Sequence, residues 1–231
     1  FDTDNTLYDY EPAHQAALNA IRKKIVESFG ISVVDFNLAY NKARDRIKKR
    51  LKETASSHNR LLYIQGLLEN IGLGSQVLLA LDFEQTYWRT FLSKAKLFNS
   101  VKELLDDVRL IGIPTVIVTD LTAQIQFRKV VYFGLDQYFD YIVTSEESGF
   151  DKPHKASFQI AIDKVQPEGN CIWMIGDNAK NDIWGAKTNI NAVTLQKLHK
   201  GVIAGKNSYL PDASFTNFKD LRILLTKINN G

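Results

Sequence analysis

The chain has 231 residues, 45% apolar and 24% charged, with 29 basic against 26 acidic side chains for a net charge of +3. That balance excludes a disordered or collagen-like chain, and the small positive excess admits an anionic ligand without indicating nucleic acid. The single cysteine, Cys171, excludes an internal disulfide framework and fits a reducing, cytoplasmic compartment, and no apolar run approaches the ~18 residues that span a bilayer.

At roughly 150 residues per domain, the length suits one large domain or one domain carrying an insertion. Phe1 reads as the last residue of a strand. Since the only methionine is Met174, the native N-terminus is expected upstream of Phe1. From about residue 11 to 95, apolar residues recur at helical spacing. Leu18, Ile21, Ile25 and Phe29 form one stripe; Phe36, Tyr40, Ala43, Ile47 and Leu51 a second; Leu61, Ile64, Leu68 and Ile71 a third; and Leu78, Leu81, Trp88 and Leu92 a fourth. Breaks at Gly30, Ser56-Ser57 and Gly72-Leu73-Gly74 separate them, so this stretch reads as a bundle of about four helices.

From residue 99 the pattern alternates between helix and short apolar run. Ser100 with Glu103 predicts a capping box for a helix through Leu110. Pro114–Val118 follows Gly112 as a buried strand, a helix runs from about Leu121 to Phe133, and Tyr141–Thr144 is the next strand. A helix near 154–165, a strand Cys171–Ile175, a helix near 179–188, short strands at Ala192–Leu195 and Ala213–Phe215, and a helix near 218–228 complete the chain. Cys171, Trp173 and Met174 read as core residues of their strand. Such alternation argues for an α/β fold with a parallel sheet flanked by helices on both faces.

Ligands of such sheets bind beyond the carboxyl ends of the strands, so the residues that follow each strand matter most. Asp2-Thr3-Asp4-Asn5-Thr6 follows Phe1, Thr119-Asp120 follows Val118, Asp151-Lys152-Pro153 lies beyond the Tyr141 strand, and Gly176-Asp177 with Asp182 follows Ile175. The Thr119 hydroxyl, Lys152 and the four carboxylates Asp2, Asp4, Asp177 and Asp182 thus meet at one sheet edge. This ordered set resembles the haloacid dehalogenase superfamily, specifically its phosphatase-type members. D-x-D-x-T corresponds to Asp2, Asp4 and Thr6, the strand-end hydroxyl to Thr119, the lysine before proline to Lys152, and G-D-x-x-x-x-D to Gly176, Asp177 and Asp182. The helical stretch lies between the first two motifs, where this family inserts a cap.

The resemblance implies a Rossmann-like, HAD-like catalytic core over 1–10 and 96–231 and an all-α cap over 11–95. It also implies an Mg²⁺-dependent phosphatase of a small phosphorylated metabolite, a monomer or homodimer without nucleic-acid or membrane partners. By that resemblance Asp2 is the nucleophile that forms an aspartyl-phosphate, and Asp4 is the general acid and base. Asp2, Asp4 (through its backbone carbonyl), Asp177 and Asp182 hold the metal, while Thr119 and Lys152 hold the phosphate. Charge supports a metal independently: four carboxylates face one lysine, and like charges about 4 Å apart repel by ~4 kcal/mol at an effective dielectric of 20. A hard divalent cation offsets that repulsion.

Asp4 argues against a 2-haloacid dehalogenase, whose leaving halide needs no proton. A phosphomutase shares all four motifs, and a non-catalytic metal-binding module is the remaining alternative. Where many relatives have Asn and Gly after the motif-two hydroxyl, this chain has Asp120 and Leu121. Asp120 either caps the helix near Leu121 or contacts the substrate, and it is counted among the substrate-binding residues. The basic run Lys42, Arg44, Arg46, Lys48, Lys49, Arg50 and Lys52 reads as a solvated helix face or as an attractor of an anionic substrate. His14, His58, Arg60 and Arg89 are candidate specificity residues of the cap, Arg60 and Arg89 as clamps for a carboxylate or second phosphate. Tyr8 and Tyr10 either line the cleft or simply pack.

Overall fold

The computed structural model describes residues 1–167, 169 and 171–229. The chain divides into two compact units, Tyr10–Ala95 and the remainder, Phe1–Asp9 with Lys96–Gly231. The larger unit is α/β and the inserted one is entirely helical.

In the α/β unit, β1 (Val116–Thr119) pairs in parallel with β2 (Tyr141–Thr144), from Val116 opposite Tyr141 to Thr119 opposite Thr144. A second parallel ladder joins β3 (Trp173–Gly176), β4 (Val193–Lys197) and β5 (Ala213–Phe215). Phe1 and Asp2 connect the two ladders. The Phe1 amino group donates to the Val116 carbonyl at 2.7 Å, the Val118 N–H donates to the Phe1 carbonyl at 2.8 Å, and the Asp2 N–H donates to the Ile175 carbonyl at 2.9 Å. The sheet order is therefore β2–β1–(Phe1-Asp2)–β3–β4–β5. The chain order reverses on either side of Asp2, which is the switch point where an open α/β sheet forms a crevice.

Short Val/Ile-rich runs form these strands because both faces are covered, as parallel sheets require. Val118 and Val143 pack with Ala161, and Met174 packs with Phe158, Ala186 and Ala192. The helices concerned are α8 (Lys155–Val165) and α9 (Gly185–Ile190). Between β1 and β2 lies α6 (Ala123–Phe133), and a single turn, α7 (Ser145–Ser148), follows β2. Two further helices, α5 (Val101–Leu110) and α10 (Phe218–Asn229), pack on each other.

Four helices make up the inserted unit: α1 (Tyr10–Phe29), α2 (Val33–Leu51), α3 (Arg60–Asn70) and α4 (Val77–Lys94). α1 packs on α4 and α2 on α3. The α2–α3 approach is close at Gly66, where a Cβ would stand 2.9 Å from Ala43 Cβ.

Several local expectations need correction. Of the fourth stripe only Trp88 is buried: Leu78 and Leu81 are exposed, and α4 buries Ala80, Phe83, Tyr87, Trp88 and Phe91. The aromatic residues bury more area than the leucines, and they set the face. Ser100 takes a left-handed backbone (φ 64°) and makes no side-chain cap bond, so the capping box does not form. β3 starts at Trp173, leaving Cys171 exposed rather than in the core. The stretch expected as one helix near 179–188 opens with a π-helical turn, Ala179–Trp184, before α9. Among the described residues no helix is long and apolar enough to cross a membrane.

Candidate active site

Asp2 is buried at the switch point. Its Oδ1 accepts from Lys152 Nζ and its Oδ2 from Thr6 Oγ1, each at 2.8 Å. The turn that returns Thr6 to Asp2 is closed by the N–H groups of Thr6 and Leu7 donating to the Thr3 carbonyl, with Asn5 at φ 63°. Lys152 is buried as well and also donates to Asp182 Oδ1 at 2.6 Å and to the Val118 carbonyl at 2.9 Å. Burial alone would lower its pKa, but Asp182, Asp2 and Asp120 raise it well above the ordinary lysine value, so it stays charged.

Asp2, Asp177 and Asp182 offer carboxylate oxygens that all lie within 4.8 Å of one another. Gly176 makes this possible: a Cβ there would stand 2.4–2.5 Å from the Cβ, Cγ and Oδ2 of Asp182. The G-D-x-x-x-x-D pattern thus has a steric cause, and the π-helical turn seats Asp182, whose Oδ2 accepts from the Asn178 N–H at 2.9 Å. Burial, then the neighbouring Asp2 and Asp182, pushes the Asp177 carboxyl up to about 9. Burial also pushes Asp2 up to about 6, with Lys152 opposing and Asp182 reinforcing the rise. An oxygen-only trio, two members buried and Asp177 half-buried, whose ionised forms repel one another suits a hard divalent cation.

This geometry fixes a pH dependence. Without metal, folded Asp177 keeps its proton up to about pH 9, whereas the unfolded chain releases it near the ordinary 3.8. Between those values the folded state binds more protons than the unfolded one, so stability falls as pH rises. The contribution is complete below about pH 4 and gone above about pH 9, and Asp2 acts with the same sign lower in that range. Thermal melts of chelator-treated protein should therefore show a midpoint that drops from pH 5 to pH 9. Added Mg²⁺ should restore it by an amount that grows with pH. A stabilisation by Mg²⁺ that shrinks as pH rises contradicts this account.

Thr119, at the end of β1, is buried, with its Oγ1 2.8 Å from Thr3 Oγ1 and accepting from Gln126 Nε2 at 2.9 Å. Gln126 and Lys129 lie on α6, and both are buried. Lys129 Nζ lies 2.8 Å from each oxygen of Asp4, and the Tyr8 hydroxyl donates to Asp4 Oδ1 at 2.5 Å. The Asp4 side chain is therefore held by Lys129 and Tyr8, while Asp2, Asp177 and Asp182 form the carboxylate cluster.

Asp120 does not cap a helix. α6 starts at Ala123, whose N–H donates to Glu146 at 2.8 Å. Asp120 Oδ1 instead accepts from the Lys152 backbone N–H at 2.8 Å and from Ser145 Oγ at 3.0 Å, so it ties the lysine loop to the end of β1. The next residue, Leu121, has φ 100°, a conformation that favours glycine, the residue the resemblance places there. Gln126 and Lys129 are not among the residues that the sequence motifs single out. Their signal is a glutamine and a lysine at positions 126 and 129 within the buried Ile125, Val130 and Phe133 face, where an amphipathic helix otherwise places apolar residues.

An α/β sheet whose switch point carries a buried Asp–Lys–Asp array defines a hydrolase-type catalytic core. The profile of the haloacid dehalogenase-like hydrolases matches residues 1–188, and the chain belongs to that family. It is 34% identical over 197 residues to the ribulose-1,5-bisphosphate 5-phosphatase of Halopiger xanaduensis, covering 85% of this chain and 81% of that protein. It is 28% identical over 188 residues to the glyceraldehyde 3-phosphate phosphatase of Pyrococcus abyssi, covering 81% and 75%. The solved structure of a 2-haloacid dehalogenase from Pseudomonas syringae superposes with a TM-score of 0.77 at 22% identity, over 98% of this chain and 96% of the other, a likeness of fold.

Proposed function

We propose that this enzyme is a divalent-cation-dependent phosphatase of small sugar phosphates that works through an aspartyl-phosphate on Asp2. The observation that carries the reading is the Lys152 ammonium bridging Asp2 at 2.8 Å and Asp182 at 2.6 Å at the sheet's switch point, beside Thr119. Relatives named as phosphatases of ribulose bisphosphate and glyceraldehyde 3-phosphate support the substrate class.

An Asp2 carboxylate oxygen attacks phosphorus, the ester P–O bond breaks, and the departing oxygen takes a proton from Asp4. Water then attacks the phosphorus of phospho-Asp2 and gives its proton back to Asp4. The P–O bond to Asp2 breaks, releasing inorganic phosphate and restoring both aspartates. Thr119 and Lys152 hold the phosphoryl oxygens as negative charge shifts. Asp2, Asp177 and Asp182 would hold a divalent cation, whose charge offsets the repulsion between these carboxylates and a phosphate dianion.

The test is to quench the enzyme with acid during turnover of a ³²P-labelled sugar phosphate. Hydroxylamine-labile label on Asp2, with free phosphate in solution, is the expected result. An isomeric sugar phosphate without free phosphate would instead indicate phosphoryl transfer to a second hydroxyl.

Lys129 provides an independent check on Asp4. By orienting both Asp4 oxygens it acts on leaving-group protonation, which an aryl phosphate scarcely needs and an alkyl phosphate does. Lys129→Met should lower kcat/KM for an alkyl phosphate by about 10²–10³-fold, against less than about tenfold for an aryl phosphate. Equal losses on both substrates would mean that Lys129 serves the fold alone.

A further inference from the structure

Gln126 lies in the α/β unit together with the groups it serves, and its side chain is fully buried. It sits one turn into α6, its backbone N–H donating to the Thr122 carbonyl at 3.2 Å. Its Nε2 meets two oxygens, Thr119 Oγ1 at 2.9 Å and the Asp120 carbonyl at 2.7 Å. The second contact decides which end of the amide faces them. A carbonyl can only accept, so an amide oxygen placed there would be repelled, and the nitrogen must take that position. Both amide protons are thereby used. The other end, Oε1, is shielded from water and meets no donor among the described residues. Leaving a buried acceptor without a donor costs stability that an apolar side chain on the same face of α6 would not cost. What the amide contributes lies in its nitrogen.

Thr119 has one hydroxyl proton and competing places to send it. Thr3 Oγ1 lies 2.8 Å away and the Asp120 carbonyl 3.4 Å away. Gln126 closes off the second by donating to that carbonyl itself. The same bond pins the carbonyl just before Leu121, whose φ of 100° a leucine adopts only when held. Gln126 also fills one lone pair of Thr119 Oγ1 with a donor that cannot reverse, since an amide nitrogen accepts no proton. Thr3 differs, because a hydroxyl both gives and accepts, and Thr3 Oγ1 also reaches Asp4 Oδ1 at 3.3 Å. Thr3 can thus take the Thr119 proton or offer its own, whereas Gln126 fixes one direction.

We infer that Gln126 is a positioning residue for phosphoryl transfer: by filling the competing lone pairs on Thr119 and on the Asp120 carbonyl, it leaves the Thr119 proton aimed at a phosphoryl oxygen. The inference rests on the phosphatase reading above, and Gln126 itself need not touch substrate. When Thr119 gives its proton to the phosphoryl group, Thr3 turns its own proton from Asp4 to the remaining lone pair of Thr119. A hydroxyl that accepts from two donors is itself a stronger donor, so its bond to the developing charge tightens.

A double-mutant cycle tests this with Gln126→Met, which keeps the length of the side chain without its donors, and Thr119→Val, which keeps the shape without the hydroxyl. Gln126→Met alone should lower kcat for an aryl phosphate by about 10–100-fold, a part of what outright loss of an oxyanion donor costs. In the Thr119→Val background the same change should cost less than about threefold, because the proton it aims is gone. Thr119→Ser keeps the hydroxyl and should keep the full sensitivity to Gln126→Met. A second measurement avoids turnover: melting midpoints of the Mg²⁺-loaded proteins in sodium phosphate and in sodium chloride of equal ionic strength. Phosphate should raise the midpoint of wild type more than that of Gln126→Met or Thr119→Val. The two changes together should reduce that rise no further than Thr119→Val does alone.

Losses that multiply across the cycle would overturn the inference, since Gln126 would then act through the fold and not through Thr119. Phosphate shifts that are the same in wild type and Thr119→Val would overturn it as well, for Thr119 would give no proton to the anion. Should Gln126→Met not fold, Gln126→Glu takes its place in the cycle. A carboxyl group has at most one proton where the amide nitrogen has two, so it leaves one of the two lone pairs unfilled. If wild type releases phosphate from no ester, the phosphatase reading fails, yet the phosphate melts still decide the role of Gln126.

Discussion

Asp2→Asn is expected to lower phosphate release by at least about 10⁴-fold and, at the same time, to make the metal-free protein more stable at alkaline pH. The loss of activity follows from the position of Asp2. Its carboxylate is presented by the Asp2–Ile175 backbone bond and gripped by Lys152 and Thr6. An amide in that grip is a far weaker nucleophile, and two neighbouring carboxylates are engaged elsewhere: Asp182 is held by Lys152 and the Asn178 N–H, and Asp4 by Lys129 and Tyr8. The stability change has the opposite sign because Asp2 is one of three clustered carboxylates, and its charge, after burial, raises Asp177. Removing one charge lowers that cost most where the group would be ionised, so the midpoint gain over wild type should widen from pH 6 to pH 9. Steady-state phosphate assays and chelator-treated melts on the same preparation measure both effects. An inactive variant that is also destabilised at high pH would point to misfolding, and an active one would remove the covalent step.

The sheet edge is legible in the sequence because parallel strands leave continuous apolar runs, with Asp2, Thr119 and Asp177 at or just past the strand ends and Lys152 eight residues beyond β2, marked by the proline that follows it. Spacing also carries Asp182, since five residues past Asp177 returns it across Gly176, where no Cβ intrudes. What escapes is chemistry delivered from a helix. Gln126 and Lys129 reach Thr119 and Asp4 from α6, over sequence separations of 7 and 125, and short motifs do not register such contacts. The cap expected of Asp120 fails for a related reason. Its preference for helix starts is a local rule, and the competing partners, the Lys152 N–H and Ser145, are supplied by segments 32 and 25 residues away. In the helical unit, helix positions follow from periodicity, but the buried face of α4 turns on Phe83, Tyr87, Trp88 and Phe91 rather than on leucines.

Lys152→Met is expected to lower activity by about 10²–10³-fold, as loss of a cationic donor to the phosphoryl oxygens would, and, unlike Asp2→Asn, to destabilise the protein. Lys152 is the ammonium that meets Asp2 and Asp182 directly, at 2.8 and 2.6 Å, with its third donor on the Val118 carbonyl. Breaking a buried pair from one side typically costs 3–5 kcal/mol, about 6–20 °C in a chain of this size. The carboxylates have an alternative, which is to take up protons, and burial already favours that for Asp2 and Asp177. Protonation should win at low pH and ionisation at high pH, so the midpoint deficit against wild type should be small near pH 5 and large near pH 8. Mg²⁺, which offers positive charge to the same carboxylates, should recover part of the deficit at pH 8. Lys152→Arg should not restore activity, because a planar fork is too large to place its nitrogens on the same three acceptors in a pocket packed around one ammonium. Melts across pH with and without Mg²⁺ measure this directly. A deficit independent of pH would mean that Lys152 stabilises the fold by packing rather than by its charge.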